Sequence, residues 1–165
     1  MTSKQVEGGG CGVYGDPGLL ADQLVNRSRG KKYDIGIIAH YFDKDNPSLL
    51  KLIAQFPKAK IIDVFSPVDV VLREISECSM VFSSSLHGLI VSDSYGIPNQ
   101  WVRFDSRVEP YKFKDYFLSQ GVSMDPIINE FDALDMVYVD KIKSEYSRKV
   151  LDKLKNNLIE SFPDL

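Results

Sequence analysis

Cysteine, histidine and tryptophan are scarce in this sequence, with two, two and one among 165 residues. Cys11 and Cys78 make no disulfide framework, and neither has a second ligand pair at metal-site spacing. HExxH, CxxC and EF-hand patterns are also missing, so no metal and no cofactor is implied. Charge of one sign is lacking too: 20 basic against 23 acidic residues leave a formal charge of −3. No global positive field exists to hold a phosphodiester backbone, which argues against a nucleic-acid partner. Nothing approaches 18 consecutive apolar residues, and the opening MTSKQVEGGG lacks the basic-then-apolar order of a signal peptide. A cytoplasmic protein is the expectation.

What is present suits one sizeable core: 44% of the residues are hydrophobic. Residues 1–10 are polar, end in three glycines and read as a flexible tail, leaving residues 11–165 as a single domain. Short runs rich in Val, Ile and Phe then alternate with stretches at helical spacing, the pattern of repeated β-α units and a Rossmann-like parallel sheet with helices on both faces. The clearest strand is 33–39 (YDIGIIA), too continuous to have a wet face. Pro47 opens a helix over 48–56 in which Leu49, Leu52, Ile53 and Phe56 share one face.

Residues 60–65 read as a second strand, with Ser66 as N-cap of a helix reaching about Glu77. Residues 79–83 form a third strand, followed by a helix over 86–95 closed by Gly96 and Pro98. A fourth strand is expected over 100–104 and a helix over 111–120 stopped by Gly121. Residues 122–137 give no clear signal, and 140–160 carry the periodicity of one long amphipathic helix. An uncovered apolar stripe on that helix would make the chain a homo-oligomer.

In open parallel sheets, ligands bind beyond the carboxyl ends of the strands. Ser83-Ser84-Ser85-Leu86-His87-Gly88 falls there, delivering hydroxyls and an imidazole to a helix start whose free N–H groups favour an anion. The structural alternative is that the serines only cap and His87 only packs. His40 follows the first strand at the same edge and is either a second proton-transfer group or a surface-loop residue. Asp16, in Gly15-Asp16-Pro17-Gly18, is read first as an Asx-type cap. Arg103, Arg107, Lys112 and Lys114 cluster near a strand end, where they meet either a phosphate or solvent. The carboxylates Asp93, Asp105 and Glu109 are expected at or near this edge.

Residues 13–20 (VYGDPGLL), the strand ending in His40-Tyr41, 83–99 (SSSLHGLIVSDSYGIPN) and 111–117 (YKFKDYF) resemble successive landmarks of the polysaccharide pyruvyl transferase family. The resemblance implies the C-terminal half of a GT-B-like enzyme that moves pyruvate from phosphoenolpyruvate onto a hexose of a cell-surface exopolysaccharide, as a ketal. It assigns catalysis to His87 and His40, and donor binding to Ser84, Ser85, Leu86, Gly88, Asp16, Arg103 and Lys112. It also implies a hexose-containing, lipid-linked or free glycan acceptor and a location at the inner face of the membrane.

The family's strongest motif variant has arginine two residues before the histidine. Ser85 stands there here, so the cation is expected from Lys112, Lys114 or Arg103. Family members are about twice as long, so an N-terminal domain or partner subunit is expected to complete the cleft, and this chain alone is expected to be inactive. Two rival readings share the fold: the nucleotide-binding half of a sugar-nucleotide glycosyltransferase, and a non-catalytic interaction module.

Overall fold

The computed structural model describes residues 15–104, 107–128 and 130–161. The polar tail at 1–10, Cys11, the start of the VYGDPGLL landmark and Asp105 lie outside them. Among the described residues, five strands form one parallel sheet: β1 (Tyr33–Ile38), β2 (Ala59–Ile61), β3 (Cys78–Ser83), β4 (Asn99–Arg103) and β5 (Ile127–Ile128). Their order across the sheet is β2-β1-β3-β4-β5, so the α/β, Rossmann-like expectation holds. β1 is followed on one side by β2 and on the other by β3, which makes the β1–β3 boundary the topological switch point.

Both faces of the sheet are covered, as the unbroken apolar character of β1 requires. On one face α1 (Pro47–Ala54) and α5 (Met136–Glu145) pack Leu49, Leu52 and Val139 with Ile35, Ile37 and Phe82. On the other lie α2 (Val68–Ser76), α3 (Leu86–Ser94), α4 (Tyr111–Ser119), α6 (Lys149–Ser161) and the 3-10 helix Pro17–Gln23. Asn46 caps α1 through a 2.9 Å bond from Ser48 N–H and Pro47 takes the first helical position. Gly96 (φ +62°) ends α3 and Gly121 (φ +69°) ends α4 in the left-handed region that glycine adopts most cheaply.

Three local expectations need correction. β2 stops at Ile61 rather than residue 65, because Asp63 accepts from Phe65 N–H at 3.0 Å and from Ser66 N–H through its carbonyl at 3.1 Å. That turn commits Ser66, so Pro67 is the N-cap of α2 and no side chain caps it. The segment without a clear signal holds β5, a 3-10 turn at Phe131–Ala133, and Asp135, which caps α5 by accepting from Tyr138 N–H at 2.9 Å.

The third correction is the largest. The expected single C-terminal helix is two helices, broken at Tyr146, whose backbone is extended (φ −67°, ψ 124°). The Tyr146 hydroxyl donates to Asp93 Oδ1 at 2.8 Å, a bond that an uninterrupted helix would forgo. Leu151 and Leu158 of α6 are buried against Leu19 and Leu89. Lys155 reaches Asp22 Oδ2 at 2.5 Å and Ser94 O at 2.9 Å. The inner part of the helix's apolar stripe is thus covered by the sheet's own helical layer, while Val150 and Ile159 stay exposed.

Candidate functional site

β1 and β3 pair in register, Ile38 opposite Ser83, so the loops after both strands emerge side by side at the switch point. Ser84 binds the two loops together. Its N–H donates to Ile38 O at 3.0 Å, its hydroxyl donates to Asp43 Oδ2 at 2.6 Å, and the hydroxyl accepts from His40 N–H at 2.9 Å. Ser84 and Asp43 are both buried, so Ser84 lies behind the site wall and positions His40.

Ser83 makes the corresponding bonds within the turn. Its Oγ accepts from Ser85 N–H at 3.0 Å and donates to Ser85 O at 2.8 Å, with Ile38 O at 3.1 Å. The close approach of Gly88 makes this arrangement possible, because a Cβ there would stand 2.4 Å from Ser83 Oγ.

Ser85 takes the N-cap backbone conformation of α3 (φ −101°, ψ 129°), yet its side chain makes no capping bond. The first amides of α3 and the positive end of its dipole are therefore turned toward the cleft without a capping oxygen over them. The cleft has a volume of about 540 Å³. Ser85, Leu86 and His87 form its floor on one side; His40, Tyr41 and Phe42 face them from the β1 loop. Arg107 and Glu109 close it from the segment leading into α4, and Lys112 from the first turn of that helix. Among the described lining residues, an arginine, a lysine and two imidazoles stand against the carboxylate of Glu109, a balance that favours an anion.

Each imidazole has a recognisable setting. His40 Nδ1 accepts a long 3.4 Å bond from Phe42 N–H, which favours the proton on Nε2. Its ring lies in a cluster with Tyr41 and Phe42, at centroid separations of 4.3 and 5.2 Å. The His87 side chain is 77% exposed, with Nε2 3.9 Å from Asp16 Oδ2. Asp16 Oδ1 is held by Gly18 N–H at 2.8 Å. Asp16 is therefore both the Asx-type cap and a carboxylate beside His87.

The cations separate. Lys112 and Arg107 line the cleft. Arg107 donates to Phe42 O at 3.3 Å and lies 5.1 Å over the Phe42 ring. Arg103 ends β4 at the same edge without lining this cavity, and Lys114 borders a separate small hollow with Phe117 and Leu118. Of the described carboxylates in that group, Glu109 lines the cleft, whereas Asp93 sits near the C-terminal end of α3 beside Asn99, at the amino edge of the sheet. The expectation for Asp93 is thereby corrected: α3 runs back down the sheet and carries its last turn to the opposite end. Among the described residues, no group of three or more His, Cys, Asp or Glu is arranged to hold a metal ion.

The sequence profile described as Polysaccharide pyruvyl transferase matches residues 3–106. This chain belongs to that family. An uncharacterized protein of Acanthamoeba polyphaga mimivirus is 37% identical over 119 residues, covering 68% of this chain and 42% of that protein. The chain thus spans less than half the length of this relative. No solved structure matches it.

Within this pyruvyl transferase fold, the most specific landmark, SSSLHG, is the strand-to-helix turn at the switch point. Sequence reading missed Asp43 and Phe42, and it did not single out Arg107 from its basic cluster. Asp43 had no local signal, because its bond to Ser84 joins residues 41 positions apart. Arg107 stood in a basic cluster whose members only the fold could sort. No helix among the described residues is long and apolar enough to cross a membrane.

Proposed function

We propose that this cleft binds phosphoenolpyruvate and that the chain is the donor-binding part of an enzyme forming pyruvate ketals on a hexose of a surface glycan. The observation that carries the reading is the meeting of the uncapped α3 N-terminus, with His87 on its first turn, with Lys112, Arg107 and His40 in one cavity. Helix amides and cations suit the donor's phosphate and carboxylate. Arg107 and Lys112 supply the charge that Ser85 cannot.

In the proposed reaction, the donor's methylene carbon takes a proton and C2 becomes oxocarbenium-like. One sugar hydroxyl adds to C2, and the second adds only after phosphate has left. The C2–O bond to phosphate breaks, and the two hydroxyl protons replace the one delivered to carbon and protonate the departing phosphate. His87, with Asp16 behind it, is the proton donor to carbon. His40 takes a hydroxyl proton.

A cleft this open cannot keep water from an oxocarbenium centre, since His87, Tyr41 and Phe42 are all exposed. Turnover therefore requires a second wall, contributed by another domain or subunit, and the 165-residue chain alone releases no phosphate from donor and acceptor. Calorimetric titration of phosphoenolpyruvate, with a nucleoside diphosphate as comparator, tests the donor assignment. Binding of phosphoenolpyruvate that His87→Ala weakens by about 10-fold, or ~1.4 kcal/mol, supports it. Preference for the nucleoside diphosphate would transfer the site to the glycosyltransferase reading. The exposed Tyr41 and Phe42 on the cleft wall favour the interaction-module reading, which gains if neither ligand binds even when the second wall is supplied.

A further inference from the structure

The amino edge of the sheet, opposite the donor cleft, holds a second cavity of about 470 Å³ between α4, the 122–125 segment and the α5–α6 break. Its volume falls within the ~300–1,000 Å³ range of small-molecule sites. At its base is a polar cluster. Asp93, 3% exposed, accepts from Asn99 Nδ2 at 2.6 Å, Tyr116 OH at 2.7 Å and Tyr146 OH at 2.8 Å.

Gln120 lines the same cavity, is 8% exposed, and its Nε2 has no hydrogen-bond partner. Its amide lies close enough to Asp93 and Tyr116 to favour the charged form of each, at a geometry too poor to make either a hydrogen-bond partner of Nε2. A buried donor left in this condition is unfavourable, and a ligand acceptor would relieve it.

The lining defines the ligand's chemistry. Asp93, Asp125 and Glu145 line the cavity, and no Lys, Arg or His among the described residues does. Arg148 nearby is packed over Gly96 and paired with Asp152 at 3.3 Å. An anion is therefore repelled. A metal ion or simple ammonium offers nothing to which Gln120 Nε2 can donate. The apolar wall of Phe117, Met124 and Ile142 asks for a ring face. Hydroxyl groups satisfy both demands at once, accepting from Gln120 and donating to Asp125 or Glu145.

We propose that this amino-edge cavity is a binding site for a neutral, polyhydroxylated ring of hexose size, separate from the donor cleft. The inference does not depend on the donor assignment, because it uses none of the same side chains.

The test titrates D-glucose, D-galactose and D-mannose, with inorganic phosphate and phosphoenolpyruvate as comparators, into isotope-labelled protein and follows the Gln120 side-chain amide and the Ile142 and Leu151 methyl signals. Two variants accompany it. Val122→Trp plugs the mouth from a position that is 42% exposed. Gln120→Leu removes the donor while keeping the packing.

At least one hexose is expected to shift these signals, and each variant to weaken that response by at least about 10-fold, while Gln120→Leu melts no lower than the parent because it deletes an unsatisfied group. Should Val122→Trp fail to fold, Gln120→Leu alone decides. The proposal is overturned if no hexose moves the cavity signals, if Gln120→Leu leaves the response intact, or if the shifts fall at His40 and His87 instead.

Discussion

Gly88→Ala is expected to disrupt the donor turn through Ser83 and to do so in a way that a second substitution reverses. An added Cβ would stand 2.4 Å from Ser83 Oγ, 3.0 Å from Ile38 Cγ2 and 3.2 Å from Ile38 Cβ. The hydroxyl must move, and with it the bonds to Ser85 N–H and Ser85 O. Overpacking at a rigid site costs ~1–3 kcal/mol and a lost hydrogen bond ~1 kcal/mol, so the single variant is expected to lose about 2–4 kcal/mol. Ser83→Ala leaves Ser85 N–H without its acceptor and is expected to lose about 1–3 kcal/mol.

In the double variant the atom that clashed is gone, and the remaining Ile38 contacts are tight but tolerable. Its loss is expected to fall below the sum of the singles by about 1–2 kcal/mol. Urea unfolding of the four proteins, monitored for coincident transitions by two probes, measures the cycle. Additivity within ~0.5 kcal/mol would refute the argument that Gly88 exists to let Ser83 hold the turn. The same four proteins titrated with phosphoenolpyruvate should rank alike, since the turn carries the first amides of α3.

Arg107→Ala and Lys112→Ala are each expected to weaken phosphoenolpyruvate binding by about 10-fold, or ~1.4 kcal/mol, while Arg103→Ala and Lys114→Ala change it by less than roughly twofold. Calorimetry distinguishes the two pairs. Burial raises the Asp93 carboxyl above its ordinary value of 3.8, against the opposing hydrogen bonds from Tyr116, Tyr146 and Asn99. Over the window from 3.8 up to that raised value the folded state holds the proton more tightly than the unfolded chain. Stability therefore falls as pH rises through the window, and Asp93→Asn is expected to flatten that limb in urea midpoints taken against pH.

Lys31 gives the opposite slope. Burial, then the nearby Arg27 charge, lowers it from 10.5 to about 8 while its Nζ donates to Cys78 O at 2.6 Å and Ser76 O at 3.0 Å. Between about pH 8 and 10.5 the unfolded chain binds the extra proton. The Lys31 contribution to stability is thus expected to rise with pH there, and Lys31→Gln to remove it, as measured by the difference between the two proteins' urea midpoints.

The sequence by itself determined the elements whose cause is local. Continuous apolar runs fixed β1 and β3, side-chain spacing fixed α1, Pro47 and Gly96 marked helix ends, and Ser83 to Gly88 announced a strand-to-helix turn at a ligand-binding edge. Each of these signals lies within a few residues of the structure it specifies. Only the tertiary structure decided the rest. No proline or glycine in residues 140–160 foretells the break at Tyr146, which follows from a hydrogen bond to a carboxylate 53 positions earlier. Asp93 looked like a cleft carboxylate until α3 carried it to the far end of the sheet, and Arg107 was one cation in a cluster until the fold brought it against Phe42. Periodicity and capping are encoded by neighbours in the chain. The partner of a buried charge is chosen by packing, and packing brings together residues that no local pattern connects.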